Sequence, residues 1–217
     1  LREADLRVAN LYGAELIEAN LYRAYLVGAD LRWADLDGAD LDRADLTDAD
    51  RPLNQNWSWD RILRSPFIKQ ADVLQGLFLF EEEYEPQTIK NNFDYYEPRT
   101  VHESSLSPCV HSIIASRLGY TDKAYEMYLR TARLDLDDYN NDTEDGCHTT
   151  SMSGSWMAIV MGFGGLRYNR TRLSLSPAIP DAWNSYSFKL FHLGHTLTVT
   201  VGRKKVVIEN DSAGDLT

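Results

Sequence analysis

Alanine stands at positions 4, 9, 14, 19, 24, 29, 34, 39, 44 and 49, and leucine follows two places later from position 6 through 46. Between them lies mostly Asp or Asn: Asp5, Asn10, Asn20, Asp30, Asp35, Asp40 and Asp45. A strict period of five fits neither the 3.6 of a helix nor the 2 of a flat strand. Fixed self-similarity of this kind marks a solenoid, in which each unit stacks on its neighbours. Leucine and the small alanine are expected to point into a crowded interior, and the other three positions of each unit to face solvent. The pattern ends at Arg51-Pro52, so 1–50 reads as the repeat and 51–58 as a linker.

Beyond the linker the period changes to that of helices. The spacing predicts them over 71–80, 86–96, 106–118, 121–134 and 153–162, with Pro86 opening the second and Gly119 stopping the third. The last is apolar on nearly every side and is expected to be buried. After Gly164-Gly165 the pattern becomes β, with strands predicted over 173–175, 186–191, 196–201 and 205–209. Helices followed by an antiparallel sheet imply segregated layers. The domain reading is therefore 1–50 repeat, 51–58 linker, 59–165 helical and 166–217 sheet.

The loops between helices concentrate groups suited to a sugar or an anion. Lys69-Gln70 precedes one helix, and His102-Glu103-Ser104-Ser105 precedes another. An acidic stretch over 137–145 leads into His148-Thr149-Thr150-Ser151-Met152-Ser153-Gly154. A hydroxyl-rich segment opening an apolar helix offers free backbone N–H groups at the positive end of the helix dipole, a seat for phosphate. The same residues also serve as ordinary helix caps, and on chemistry alone both readings stand.

The strings IKQADVLQG (68–76), YEPRTVHESSLSPCVHSIIASRLGY (96–120), LDLDDYNNDTEDG (134–146), HTTSMSGSW (148–156) and LSPAIPDAW (175–183) closely resemble family 65 of the glycoside hydrolases, which contains maltose, kojibiose and trehalose phosphorylases. The first fifty residues resemble the pentapeptide-repeat family. Together these resemblances imply a mixed α and β fold: a short right-handed quadrilateral β-helix, then part of an (α/α)6 barrel, then a small antiparallel β-sheet domain. The implied reaction is inverting phosphorolysis of an α-linked glucose disaccharide to β-glucose 1-phosphate and glucose. Inorganic phosphate is its co-substrate, and no further cofactor or metal is implied. Carried over by position, Lys69 and Gln70 match a substrate-contacting pair. His148, Thr150, Ser151, Ser153 and Gly154 match the phosphate-holding segment, and Glu103 lines the same pocket.

The family pattern is incomplete here. Protonating the leaving glycosidic oxygen requires a carboxylic acid, and the family's motif for that Glu is absent; Glu81-Glu82-Glu83-Tyr84 is only an echo of it. The reading is therefore a truncated phosphorylase-like protein, inactive alone: either a fragment or fused reading frame of a larger enzyme, or a chain that self-associates or pairs with a complementing chain. The alternatives are a non-catalytic interaction module built on the acidic repeat and a hydrolase using Glu103 as its base.

Charge refines this picture. Residues 1–50 hold 12 acids against 5 arginines, and the whole chain carries −11, which excludes a basic nucleic-acid surface. No apolar run is long enough for a membrane span. Two isolated cysteines, Cys109 and Cys147, make neither a disulfide framework nor a zinc site, consistent with a cytoplasmic protein.

Overall fold

The computed structural model describes residues 1–26, 29–31, 34–41, 44, 59–65, 67–139, 143–169 and 172–212. The expected linker and the end of the repeat lie outside these residues.

In the repeat, parallel bridges join Asp5 to Tyr25, Asn10 to Asp30, Glu15 to Asp35 and Asn20 to Asp40. Each bridge spans four pentapeptides. Every described unit turns through a Leu carbonyl accepting the N–H of the Ala three residues on, from Leu1–Ala4 to Leu41–Ala44. The residue before that Ala takes a left-handed conformation: Glu3, Val8, Gly13, Glu18, Arg23 and Gly38 all have positive φ. The Asp/Asn position has a local cause as well. The side-chain oxygens of Asp5, Asn10, Asn20 and Asp35 accept the backbone N–H two residues later, an Asx turn that favours these two residue types. Leu16, Leu21, Leu26, Leu31 and Leu41 fill the interior, and that apolar column continues into Ile62 and Val101, with Trp59 and Phe67 at its margin. The repeat thus shares its core with the segment that follows.

The described helices are α1 (Trp59–Leu63), α2 (Asp72–Leu79), α3 (Pro86–Tyr96), α4 (Ser107–Arg117), α5 (Thr121–Ala132) and α6 (Thr149–Met157). The first was not visible in the periodicity because five residues are too few to show one. The last predicted helix starts four residues earlier than expected and passes into a π-helical segment, Ala158–Phe163, in which the Gly164 N–H reaches back to the Ile159 carbonyl at 2.7 Å. Helix α4 is central. Nine successive residues from Ser107 to Ala115 are buried, as expected of a helix without a polar face. Hydroxyls fasten its neighbours: Ser112 Oγ donates to the Ala124 carbonyl, Ser116 Oγ to Gly162 and Ser151 Oγ to Thr131.

Two antiparallel sheets follow. Strands β1 (Arg167–Asn169) and β2 (Arg172–Ser174) form a hairpin; the sequence pattern showed only its second strand. Strands β3 (Ser185–His192), β4 (His195–Gly202) and β5 (Val206–Asn210) form a three-stranded sheet in sequence order. Leu197, Val199 and Val201 of β4 alternate inward. The sheet meets the helices through Val160 and Phe188 and through Trp183, which lies against Tyr128, Phe163 and Tyr186. Glu81 ties three elements together, bonding Arg117 of α4 at 2.7 Å and also Arg167 of β1. The acidic echo noted in the sequence therefore holds a structural clamp.

Candidate functional site

Two short backbone contacts place the Lys-Gln pair. The Ile68 N–H donates to the Arg99 carbonyl and the Val101 N–H to the Ile68 carbonyl, both at 2.8 Å. This parallel bridge sets Lys69 beside the loop carrying Glu103. Lys69 Nζ lies 2.8 Å from Glu103 Oε2 and 5.1 Å from the centre of the Trp59 ring. Gln70 turns the other way, its Nε2 donating to Asp72 Oδ1 at 2.8 Å in the first turn of α2.

The opening of α6 meets the same loop through Ser105. His148 is its N-terminal cap residue, and Asp135 grips it twice: Oδ2 accepts the His148 backbone N–H at 2.9 Å and Oδ1 lies 2.6 Å from Nδ1. These bonds hold the Asp135 carboxyl below its ordinary pKa, the side-chain bond contributing most. They also leave Nε2 as the nitrogen not turned to Asp135. Thr150 Oγ1 meets Ser105 Oγ at 3.0 Å, joining the loop of Glu103 to the start of α6. The N–H of Thr150 lies in the first helical turn, where no carbonyl four residues back is available.

The five residues matched to phosphate binding therefore divide. His148 is half-buried and Thr150 exposed at the helix mouth. Ser151 is buried, its hydroxyl given to Thr131. Ser153 donates to the Thr149 carbonyl at 3.3 Å. Gly154 is pressed on α4, where a Cβ would lie 2.9 Å from the Cys109 Cβ. Sequence reasoning also missed Asp135, which sits among the acids ahead of His148 with no feature of spacing to single it out.

The family model for the glycosyl hydrolase family 65 central catalytic domain matches residues 25–157. This chain belongs to glycosyl hydrolase family 65. The family's C-terminal domain matches residues 166–217, and pentapeptide repeats match residues 1–26. Maltose phosphorylase of Bacillus subtilis is 56% identical over 160 residues, covering 74% of this chain and 21% of that protein. Alpha,alpha-trehalose phosphorylase of Thermoanaerobacter brockii is 46% identical over 156 residues, covering 72% and 20%. Among solved structures, a human-microbiome protein assigned as a kojibiose phosphorylase superposes with a TM-score of 0.70 at 46% identity, covering 78% of this chain and 25% of that one. The chain spans about a fifth of the length of the curated relatives it matches. No described helix is long and apolar enough to cross a membrane.

Proposed function

We propose that this family 65 chain supplies the phosphate-facing and sugar-contacting wall of an inverting α-glucoside phosphorylase site, and that alone it does not turn over. The observation that carries the reading is the Ser105–Thr150 hydrogen bond. It joins the loop of the Lys69–Glu103 pair to the helix start that carries His148. A phosphate oxygen on the anomeric carbon needs donors around its remaining oxygens. Here those donors are the N–H and hydroxyl of Thr150 and the His148 ring, aided by the α6 dipole. Lys69 and Gln70 hold sugar hydroxyls.

Inverting cleavage also needs a proton for the leaving oxygen. Glu103 is taken up by the Lys69 ammonium and Asp135 by His148. The proton donor is therefore placed outside these residues. Within the same proposal the repeat is a packing module, supported by the core it shares with Ile62 and Val101. A cytoplasmic setting is supported by the unpaired Cys109 and Cys147.

The test has two arms. Titration of the purified chain with inorganic phosphate, followed by phosphorus NMR, is expected to show binding that weakens about tenfold in His148→Asn, the scale of one lost hydrogen bond to a charged group. Incubation with maltose, kojibiose or trehalose plus phosphate is expected to give no glucose 1-phosphate. Undiminished binding by the variant, or product from the chain alone, overturns the corresponding half.

A further inference from the structure

A second polar cluster includes His102, one residue before Glu103, and involves none of the residues just assigned. Glu97, in the 3-10 turn after α3, His102, in the loop before α4, and His111, inside α4, bring one ligand atom each to within 4.8 Å of one another. His111 is fully buried and His102 is 5% exposed. All four of their ring nitrogens are buried without a hydrogen-bond partner. The rings pack edge to face with centroids 4.3 Å apart. His102 is held at φ +57°, a left-handed conformation unfavourable to residues with a Cβ. Four orphaned imidazole nitrogens and a strained backbone in one place need a physical reason.

The burial limits what can answer them. These atoms are already closed to solvent, so no side chain of a partner reaches them. The occupant is a single small species. A neutral imidazole offers one lone pair, and two imidazoles with one carboxylate make a three-ligand set with an open fourth position. Bonds of about 2.0–2.1 Å to zinc place neighbouring ligand atoms roughly 3.3 Å apart, so the three side chains need only close inward by modest rotations.

We propose that Glu97, His102 and His111 bind a divalent transition-metal ion, zinc being the natural fit to this donor set. The surrounding charges tune the site. Lys123 Nζ lies 3.2 Å from Glu97 Oε1 and 2.9 Å from Glu126 Oε2, and Arg130, stacked over the Tyr139 ring, has its buried Nε and Nη2 without a hydrogen-bond partner. These two cations compete with a bound metal, while Glu126 offsets one of them. Affinity is therefore moderate, and removing Lys123 raises it.

The experiment uses the full chain, stripped with a chelator and desalted, in a His148→Ala, His192→Ala background that removes two of the three half-buried imidazoles and leaves His195 as an internal control. Zn2+ is followed by calorimetry and Co2+ by its visible absorption. The expected result is one ion per chain, with a Co2+ spectrum of low coordination number. Affinity falls at least tenfold in Glu97→Gln, which is half-buried and leaves the helices intact by circular dichroism, and rises several-fold in Lys123→Met. Imidazole nitrogen NMR of the same background chain is expected to shift both His102 and His111 on adding zinc. No bound metal, meaning that buried water alone satisfies the rings, overturns the proposal. So does metal binding that Glu97→Gln leaves unchanged, or a zinc-induced shift confined to His195.

Discussion

Ser105 Oγ and Thr150 Oγ1 lie 3.0 Å apart across 45 residues of chain. The bond runs from the loop that carries Glu103 to the first turn of α6, beside the packing of Gly154 on Cys109 of α4. It turns two separate motifs into one surface, the carboxylate and ammonium on one side and the helix mouth on the other.

That contact separates a ligand from a positioning residue. Thr150→Val keeps the shape and removes the hydroxyl, and is expected to weaken phosphate binding about tenfold, as for a hydrogen bond to a charged group. Ser105→Ala leaves the Thr150 hydroxyl in place but untethered and is expected to weaken it less. The double variant is expected to lose less than the two singles together, because residues sharing one bond couple. Phosphate titrations of all four proteins measure this, and strictly additive losses would show that the two hydroxyls act independently.

Glycines on two helices give opposite responses to one substitution. A Cβ at Gly154 would sit 2.9 Å from the Cys109 Cβ and 3.3 Å from Thr131 Cγ2, whereas at Gly76 it meets nothing within 4 Å. Gly154→Ala therefore forces α6 off α4 and is expected to destabilise by about 1–3 kcal/mol. Gly76→Ala is expected to stabilise by roughly 0.5–1 kcal/mol through helix propensity. Urea unfolding of each variant checks the signs, and a neutral Gly154→Ala would mean that the two helices have room to part.

Much of this architecture was legible because local chemistry and tertiary role coincide. The five-residue period gave the stack directly, since Leu16, Leu21, Leu26, Leu31 and Leu41 are interior and Asp5, Asn10, Asn20 and Asp35 each cap their own turn. Helix α4 was visible from its spacing and from Gly119, which stops it. What stayed hidden depends on distance in the chain. Ser151 and Gly154 carry the residue types of an anion seat, yet α4 and α5 claim them for packing. Asp135 acquires its role only when the chain folds back 13 residues to His148. Strand β1 is three residues long, too short for alternation to show.

Val8 exposes a conflict inside the repeat itself. Its turn position needs positive φ, which Gly13 and Gly38 adopt freely, but Val8 is held at φ +59° with 81% of its surface exposed. A β-branched residue is strongly disfavoured there, and so little of it packs that few contacts compensate. Val8→Gly is expected to stabilise by about 1 kcal/mol, the scale of relieved left-handed strain less the extra entropy of glycine. Thermal unfolding followed by circular dichroism is the measurement, and a lower midpoint would show that the Val8 side chain contributes more than its exposure implies.

The buried histidines set a pH limit on the fold. Burial holds His111 neutral, its pKa pushed down to about 3, with Arg130 and Lys123 adding to the effect. His102 is driven the same way by burial, by His111 and by those two cations; Glu97 is the acid facing the pair. In the unfolded chain each imidazole takes up a proton near pH 6.5. Between that value and about pH 3 the unfolded state binds more protons, so stability falls as pH falls. In chelator-containing buffer the slope from pH 6.5 to 5, above the range where most carboxylates titrate, is expected to approach about 1.4 kcal/mol per pH unit per buried imidazole. His111→Leu, which cannot be protonated, is expected to flatten that slope by about half whatever its own stability. Urea midpoints collected across the window decide the matter, and a curve of equal steepness in both proteins would mean that water reaches these rings in the folded state.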